Sequence, residues 1–412
     1  MMKRKLSPFA GLLVLMLATL ACASPAGGGG EQPSTPPDQV ATIVAATMQA
    51  LTRTAPEPST ETPVPTAEDE LLPHSFYYLG NDNAGLLQVF RIERDGVTQK
   101  QITSEPVNVS SYDVSPVDGS VVYVSNNQML LIDADGSGRR LLLDGGAVDQ
   151  NNPFLNNITN PVFSRNGETI AYGHQGLNFY ALDTGVSNRV LENDIDDLGN
   201  NLLVPRELYW PEKYSPDGSK LLITLGYYEG ASAAIYYPNG SVLVRLKGGE
   251  GALICCDQTQ WSADGSVFYS ANRSTGMFNS GLWRVNAADG QVTTLFTSNY
   301  DTGTFNYADE PYLAPDGQLY YFFLNTNSEL NSRTPLQLVR SAPDGVTGRT
   351  VLRPDTFELM NEALWSPDAS FVIVAFAPIQ DVYFGGQAEV TYLDGRPSVV
   401  LTTFAQKMKW GP

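Results

Sequence analysis

Tyr214-Ser215-Pro216-Asp217-Gly218-Ser219-Lys220-Leu221-Leu222-Ile223-Thr224 decides the fold. An aromatic residue ends one strand. Pro216 presets the first corner of a turn, Asp217 can bond its own backbone, and Gly218 permits the positive φ that closes the hairpin. An apolar, β-rich strand follows. The same order recurs at Ser115-Pro116-Val117-Asp118-Gly119, Ser164-Arg165-Asn166-Gly167, Ser262-Ala263-Asp264-Gly265, Ala314-Pro315-Asp316-Gly317 and Ser366-Pro367-Asp368-Ala369, with starts 47 to 52 residues apart. That period is the length of a propeller blade rather than of a solenoid repeat.

A second hairpin mark sits inside each period: Asp95-Gly96, Asp135-Gly136, Asp183-Thr184-Gly185, Asn239-Gly240, Asp289-Gly290, Asp344-Gly345 and Asp394-Gly395. Asx-Gly pairs are the strongest short hairpin signals. The two marks divide each period into four antiparallel strands, which is one blade. The second mark occurs seven times and the first six times, because the period at 76–103 lacks an innermost strand. The tail Lys407-Met408-Lys409-Trp410-Gly411-Pro412 reads as that missing strand. The expectation is an all-β, seven-bladed β-propeller closed by its C-terminal strand. Six blades with a stray hairpin is the alternative.

These repeats resemble the WD40-like, TolB-type (PD40) β-propeller repeat, an aromatic followed by Ser-Pro-Asp-Gly. The resemblance covers 76–412, is closest at Tyr214 to Gly218, Trp261 to Gly265 and Trp365 to Asp368, and weakens where Arg165 and Asn166 replace Pro and Asp. The N-terminal α/β domain of TolB has no counterpart here. The whole chain resembles bacterial envelope lipoproteins that carry a propeller on a stalk.

Residues 1–22 read as an export signal, with Lys3, Arg4 and Lys5 before an apolar run. Thr19-Leu20-Ala21-Cys22 resembles the bacterial lipobox, which implies lipidation of Cys22 and an extracytoplasmic, membrane-anchored protein. Thr19 stands where Leu is commoner. Residues 23–73 form a stalk rich in Gly, Pro, Thr and Ser, too polar to bury a core, interrupted by a short helical pattern at 38–51. The propeller then spans 74–412. The net charge is −19, and about −22 once Lys3, Arg4 and Lys5 are removed, which argues against a nucleic-acid partner.

In a propeller the first-to-second and third-to-fourth strand turns share one face, and these are short here. Extra length falls on the other face, at 227–231, 272–281, 325–335 and 378–387, and in the interblade connections 145–157, 192–207, 248–257 and 297–309. Long loops on a rigid scaffold are where recognition concentrates. Tyr227, Tyr228, Tyr300, Phe305 and Tyr307 are the aromatic binding candidates. Asp257, Asp309, Glu310, Asn361 and Glu362 are expected to ring the channel mouth as a carboxylate-rich collar that attracts cations.

Chemistry beyond recognition is sparse. The two histidines, His74 and His174, and the absence of a Gly-x-Ser-x-Gly elbow argue against a Ser-His-Asp hydrolase. Zinc lacks ligands, and no cofactor is expected. Calcium at Glu192-Asn193-Asp194-Ile195-Asp196-Asp197 is the one metal alternative. Cys255 and Cys256 are adjacent; they form either a vicinal disulfide or a reduced buried pair. The reading is a non-enzymatic, lipid-anchored module that binds a protein, peptide or glycan. The alternatives are a carbohydrate-active enzyme using Glu310 and Glu362, or a TolB-like partner in envelope assembly.

Overall fold

The computed structural model describes residues 70–199, 202–256, 259–274, 276–330 and 333–412. The signal segment, Cys22, the stalk up to residue 69 and Asp257 lie outside them. The described chain is all-β, and its strands form six antiparallel sheets. Four of these are four-stranded meanders, at 109–144, 159–192, 259–297 and 305–356, with strands paired in chain order. Each meander follows from the two turn marks, whose local geometry leaves no room for a crossover.

The Ser-Pro-Asp-Gly turns are small closed networks. Ser366 Oγ donates to Asp368 Oδ1 at 2.9 Å and accepts the Phe371 N–H at 3.1 Å, while Asp368 accepts the Ser370 N–H at 3.0 Å. Ser215 with Asp217 and Ser262 with Asp264 repeat the pattern. The Ser262 hydroxyl is the main group holding the Asp264 carboxyl down, to about 2. Such bonds supply partners for turn amides that would otherwise face a buried serine.

The largest sheet carries the closure. Its strands are ordered Met360–Trp365, Phe371–Phe376, Gly386–Tyr392, Val399–Trp410, Phe76–Asn81, Leu87–Ile92 and Gln99–Gln101. The first half of Val399–Trp410 pairs with Gly386–Tyr392, and its second half pairs with Phe76–Asn81, setting Phe76 opposite Trp410 and Tyr77 opposite Lys409. This strand is thus shared, the outer edge of the strands that precede it and the inner edge of those that begin at Phe76. The tail is held further by Tyr112, whose hydroxyl donates to the Lys407 carbonyl at 2.6 Å, and by the Gly411 N–H on the Ser75 carbonyl at 2.8 Å.

The remaining sheet differs from expectation. The connection at 192–207 is not an open loop. Asp194–Asp197 forms an added strand that pairs with the start of the long strand Leu203–Tyr214. Arg206 reaches Asp196 at 3.0 Å and Asp194 at 3.8 Å. The carboxylates proposed for calcium are therefore displayed on a hairpin beside a guanidinium, a geometry that does not converge on an ion.

The core lies between neighbouring sheets. Across the seam, Phe76 and Tyr78 pack with Phe371, Ile373, Val390 and Met408. Tyrosine hydroxyls then tie blades together at the turn end: Tyr77 donates to the Gly119 carbonyl at 3.1 Å, Tyr237 to Ala287 at 2.8 Å and Tyr312 to Pro367 at 2.7 Å. Each joins apolar burial to a satisfied polar tip.

Trp410→Ala should lower unfolding stability by about 3 kcal/mol in urea titration, since it removes a large ring from the seam. Val97→Ser, at a surface turn with 82% exposure, should change it by less than about 0.5 kcal/mol. Equal effects would contradict the seam's structural role.

Candidate functional site: the channel mouth and the long-loop arc

The innermost strands run from the long-loop end toward the turn end, and they line a central cavity of about 960 Å³. Along them the pairing register slips in sheet after sheet: between Val109 and Ser111, Thr159 and Val162, Pro211 and Lys213, Asp309 and Tyr312, and Met360 and Glu362. A slip of this kind is a β-bulge, which re-aims side chains and frees backbone amides. Asn160, Glu310 and Lys407 occupy such slips with φ of 46°, 47° and 52°. The bulges explain why Glu310, Glu362 and Lys407 line the cavity rather than continuing the strand alternation.

The freed amides find carboxylates. Glu310 Oε1 accepts the Ala363 N–H at 3.3 Å, and Glu362 accepts the Lys407 N–H at 2.7 Å as well as that of Met408. Each carboxylate thus caps the bulge of the next blade. Glu310 lines the cavity but is half-buried. That burial, with Asp309 and Glu362 as neighbouring charges, pushes its carboxyl well above the ordinary range, against a smaller opposing pull from Lys213.

The expected acidic collar is not what forms. Lys407 Nζ donates to the Ser110 carbonyl at 2.8 Å, Lys213 Nζ to the Thr259 carbonyl at 2.6 Å, and Lys409 Nζ lies 2.7 Å from Asp113. Cations are interleaved with the carboxylates, so the mouth has mixed charge. Asp309 is buried away from the mouth, 3.2 Å from the Arg273 guanidinium. Asn361 turns outward, donating to the Val382 carbonyl at 3.2 Å and the Gly385 carbonyl at 2.6 Å.

Two of the aromatic candidates also move. Residues 305–309 belong to the strand Phe305–Leu313, so Phe305 and Tyr307 alternate into the core, and the Tyr307 hydroxyl accepts the Leu330 N–H at 2.7 Å. Tyr227, Tyr228 and Tyr300 remain exposed. Tyr300 stands edge-on to Phe305 at 5.3 Å and bonds Glu329 at 3.2 Å.

The residues that organise this end are two arginines absent from the sequence-based candidates. Arg273, Arg333 and the Met360 carbonyl form a junction, with both guanidinium groups donating to that oxygen. Arg333 also donates to the Gln380 and Val382 carbonyls and to Asn361 Oδ1, and its guanidinium lies 4.7 Å from the centre of the Tyr383 ring. Thr334 Oγ1 donates to the Arg273 carbonyl at 3.3 Å. Arg273 and Arg333 from two loops thus share the Met360 carbonyl, and Arg333 also holds the Gln380 and Val382 carbonyls of a third. Phe278 extends the series by packing beside Gly230 of the preceding loop. The result is an arc of linked loops rather than separate flexible tips. Around it Tyr228, Met277, Ile379, Tyr383 and Phe384 are exposed, Met277 at 80% and Phe384 at 78%.

Cys255 and Cys256 are joined as a vicinal disulfide. Cys255 is buried, whereas Cys256 faces the cavity with φ 64°, donating its N–H to Thr224 Oγ1 at 3.1 Å and accepting from Thr259 Oγ1 at 3.1 Å. Among the described residues no group of three or more His, Cys, Asp or Glu side chains is placed to hold a metal ion.

Solved structures similar to this chain include other propeller proteins. TolB from Acinetobacter baumannii aligns at 17% identity over 74% of this chain and 66% of its own, with a TM-score of 0.42. The putative TolB from Agrobacterium tumefaciens aligns at 17% identity over 74% of this chain and 99% of its own, with a TM-score of 0.39. A prolyl endopeptidase aligns at 13% identity over 91% of this chain and 56% of its own, with a TM-score of 0.50. The chain thus spans about two thirds of the Acinetobacter protein and just over half of the endopeptidase. At these identities the likeness is one of fold. No family model matches the sequence, and no curated protein matches it.

Glu310→Gln supplies a test with a definite sign. A carboxyl whose pKa is raised in the folded state contributes stability that is complete below its ordinary value of 4.5 and is lost as pH rises through the folded value. Urea midpoints of the wild type should therefore fall from about pH 5 toward pH 8 more steeply than those of Glu310→Gln. Parallel slopes would show that Glu310 is not held protonated by the channel.

Proposed function

We propose that the protein is a non-enzymatic recognition scaffold of the bacterial cell envelope, working as TolB-like propellers do through protein contacts. Its binding surface is the loop arc around the channel mouth. The observation that carries this reading is the junction in which Arg273 and Arg333 both donate to the Met360 carbonyl while Arg333 also holds the Gln380 and Val382 carbonyls. The half-buried Arg273 and the buried Arg333 guanidinium groups are committed to fixing backbone at a surface that still exposes Met277 and Phe384. Rigid loops lower the entropy cost of association, and exposed apolar groups supply its driving force.

The export signal and stalk fit this role. Lipidation at Cys22 would fix the chain to a membrane, and about 50 residues of polar tether would let the arc reach a partner tens of ångströms away. The vicinal disulfide at the cavity wall suits an oxidising compartment.

The test is co-purification from envelope extracts of the native host. The triple variant Tyr228→Ser, Met277→Ser and Phe384→Ser should lose the partners that the wild type retains, with an unchanged melting temperature. Val97→Ser with Val346→Ser, on the turn face, should retain them. Identical capture by all three proteins would remove the arc from consideration.

A further inference from the structure

The arc has a charge pattern that its apolar residues do not explain. Glu229, Asp301, Glu329 and Asp381 are exposed along it, and Glu358 is half-exposed. The only bases in its loops, Arg273 and Arg333, are consumed internally. Arg273 faces Asp309 and the Met360 carbonyl, while Arg333 is 7% exposed and donates to the Met360, Gln380 and Val382 carbonyls and to Asn361. The undescribed positions within the arc, Thr275, Asn331 and Ser332, carry no charge. The surface offered to a partner is thus acidic and apolar, with the compensating cations turned inward.

Arg333 lies near enough to Glu358 and Asp381 to offset part of their charge, but the direct hydrogen bonds of these acids leave the rest uncompensated. Glu329 accepts from the Tyr300 hydroxyl at 3.2 Å and Glu358 from Gln380 Nε2 at 3.2 Å, both neutral donors. The channel lysines are held deeper, by the Ser110 and Thr259 carbonyls and by Asp113. An anionic membrane surface is disfavoured at such a face by like-charge repulsion. A polar glycan would leave Met277, Ile379 and Phe384 without apolar cover.

We infer that the arc recognises a cationic amphipathic segment of a partner protein. Its apolar residues pack on Met277, Tyr383 and Phe384, and its lysines or arginines face Glu329, Asp381 and Asp301. This rests on the arc being the recognition surface, and it adds the chemistry of the occupant. Charge complementarity of this kind sets specificity and association rate more than final affinity, so binding should weaken with salt.

Two synthetic probes test it against the full chain by fluorescence anisotropy: a leucine–lysine amphipathic peptide and its leucine–glutamate counterpart. The lysine peptide should bind, and the glutamate peptide should not. Glu329→Lys with Asp381→Lys should weaken the lysine peptide by about tenfold, mainly through slower association. Asp183→Lys with Asp289→Lys, the same charge change on the turn face, should leave it within about twofold, which separates the arc from adsorption to an acidic protein as a whole. Equal binding of the two peptides, or equal loss in the two lysine variants, would overturn the charge inference. If Met277→Ser with Phe384→Ser still weakened binding in that case, the arc would stand as the surface. If neither the charge nor the apolar variants mattered, both readings would fall.

Discussion

The hydrogen-bonded pairing of the C-terminal strand with Phe76–Asn81 is the constraint on which the rest depends. Each blade buries its faces only against its neighbours, so a break at any seam exposes two apolar sheets at once. At this seam the chain ends meet, and the closure is made by strand pairing, by the packing of Phe76 and Tyr78 on Phe371, Ile373 and Met408, and by the Tyr112 hydroxyl on Lys407. Backbone pairing leaves no unprotected edge between first and last blades. The same strand also carries Lys407 into the channel and brings its amides to Glu362. Closure and the geometry of the mouth are therefore one interaction.

The channel shows how backbone geometry shapes the chemistry of a surface. Bulges in the inner strands free amides, and Glu310 and Glu362 accept from them. A pair of cavity-lining carboxylates could suggest acid–base catalysis. Both also accept backbone N–H groups from the next blade, and lysines are interleaved with them along the cavity. The surface proposed for recognition is the loop arc, where the arginine junction ties neighbouring loops together.

What was legible in the sequence divides by the range of the interaction. The Ser-Pro-Asp-Gly turns were readable because their bonds close within five residues, as Ser366, Asp368 and Phe371 show. The role of the tail was readable because Trp410 sits where a turn mark would follow. The channel residues were harder. A bulge shifts register by one, and a one-residue shift sends a side chain to the opposite face. Asp309 and Asn361 therefore point away from the mouth while Glu310 and Glu362 line it. Phe305 and Tyr307 were misplaced because the strand Phe305–Leu313 begins earlier than the loop signal at 297–309 implied. Arg273 and Arg333 carry no local pattern; their shared acceptor, the Met360 carbonyl, is 87 and 27 residues away.

Native-state hydrogen exchange, resolved by residue, tests the closed ring most directly. If the tail strand completes the wheel, the paired amides of 76–79 and 406–410 should exchange only through global unfolding. Their opening free energies should match those of the interior strand Phe371–Phe376. Fast exchange at 406–410, comparable with the surface turn at Val97, would contradict it. The tail would then be a loose end, and the channel mouth could not have the form described.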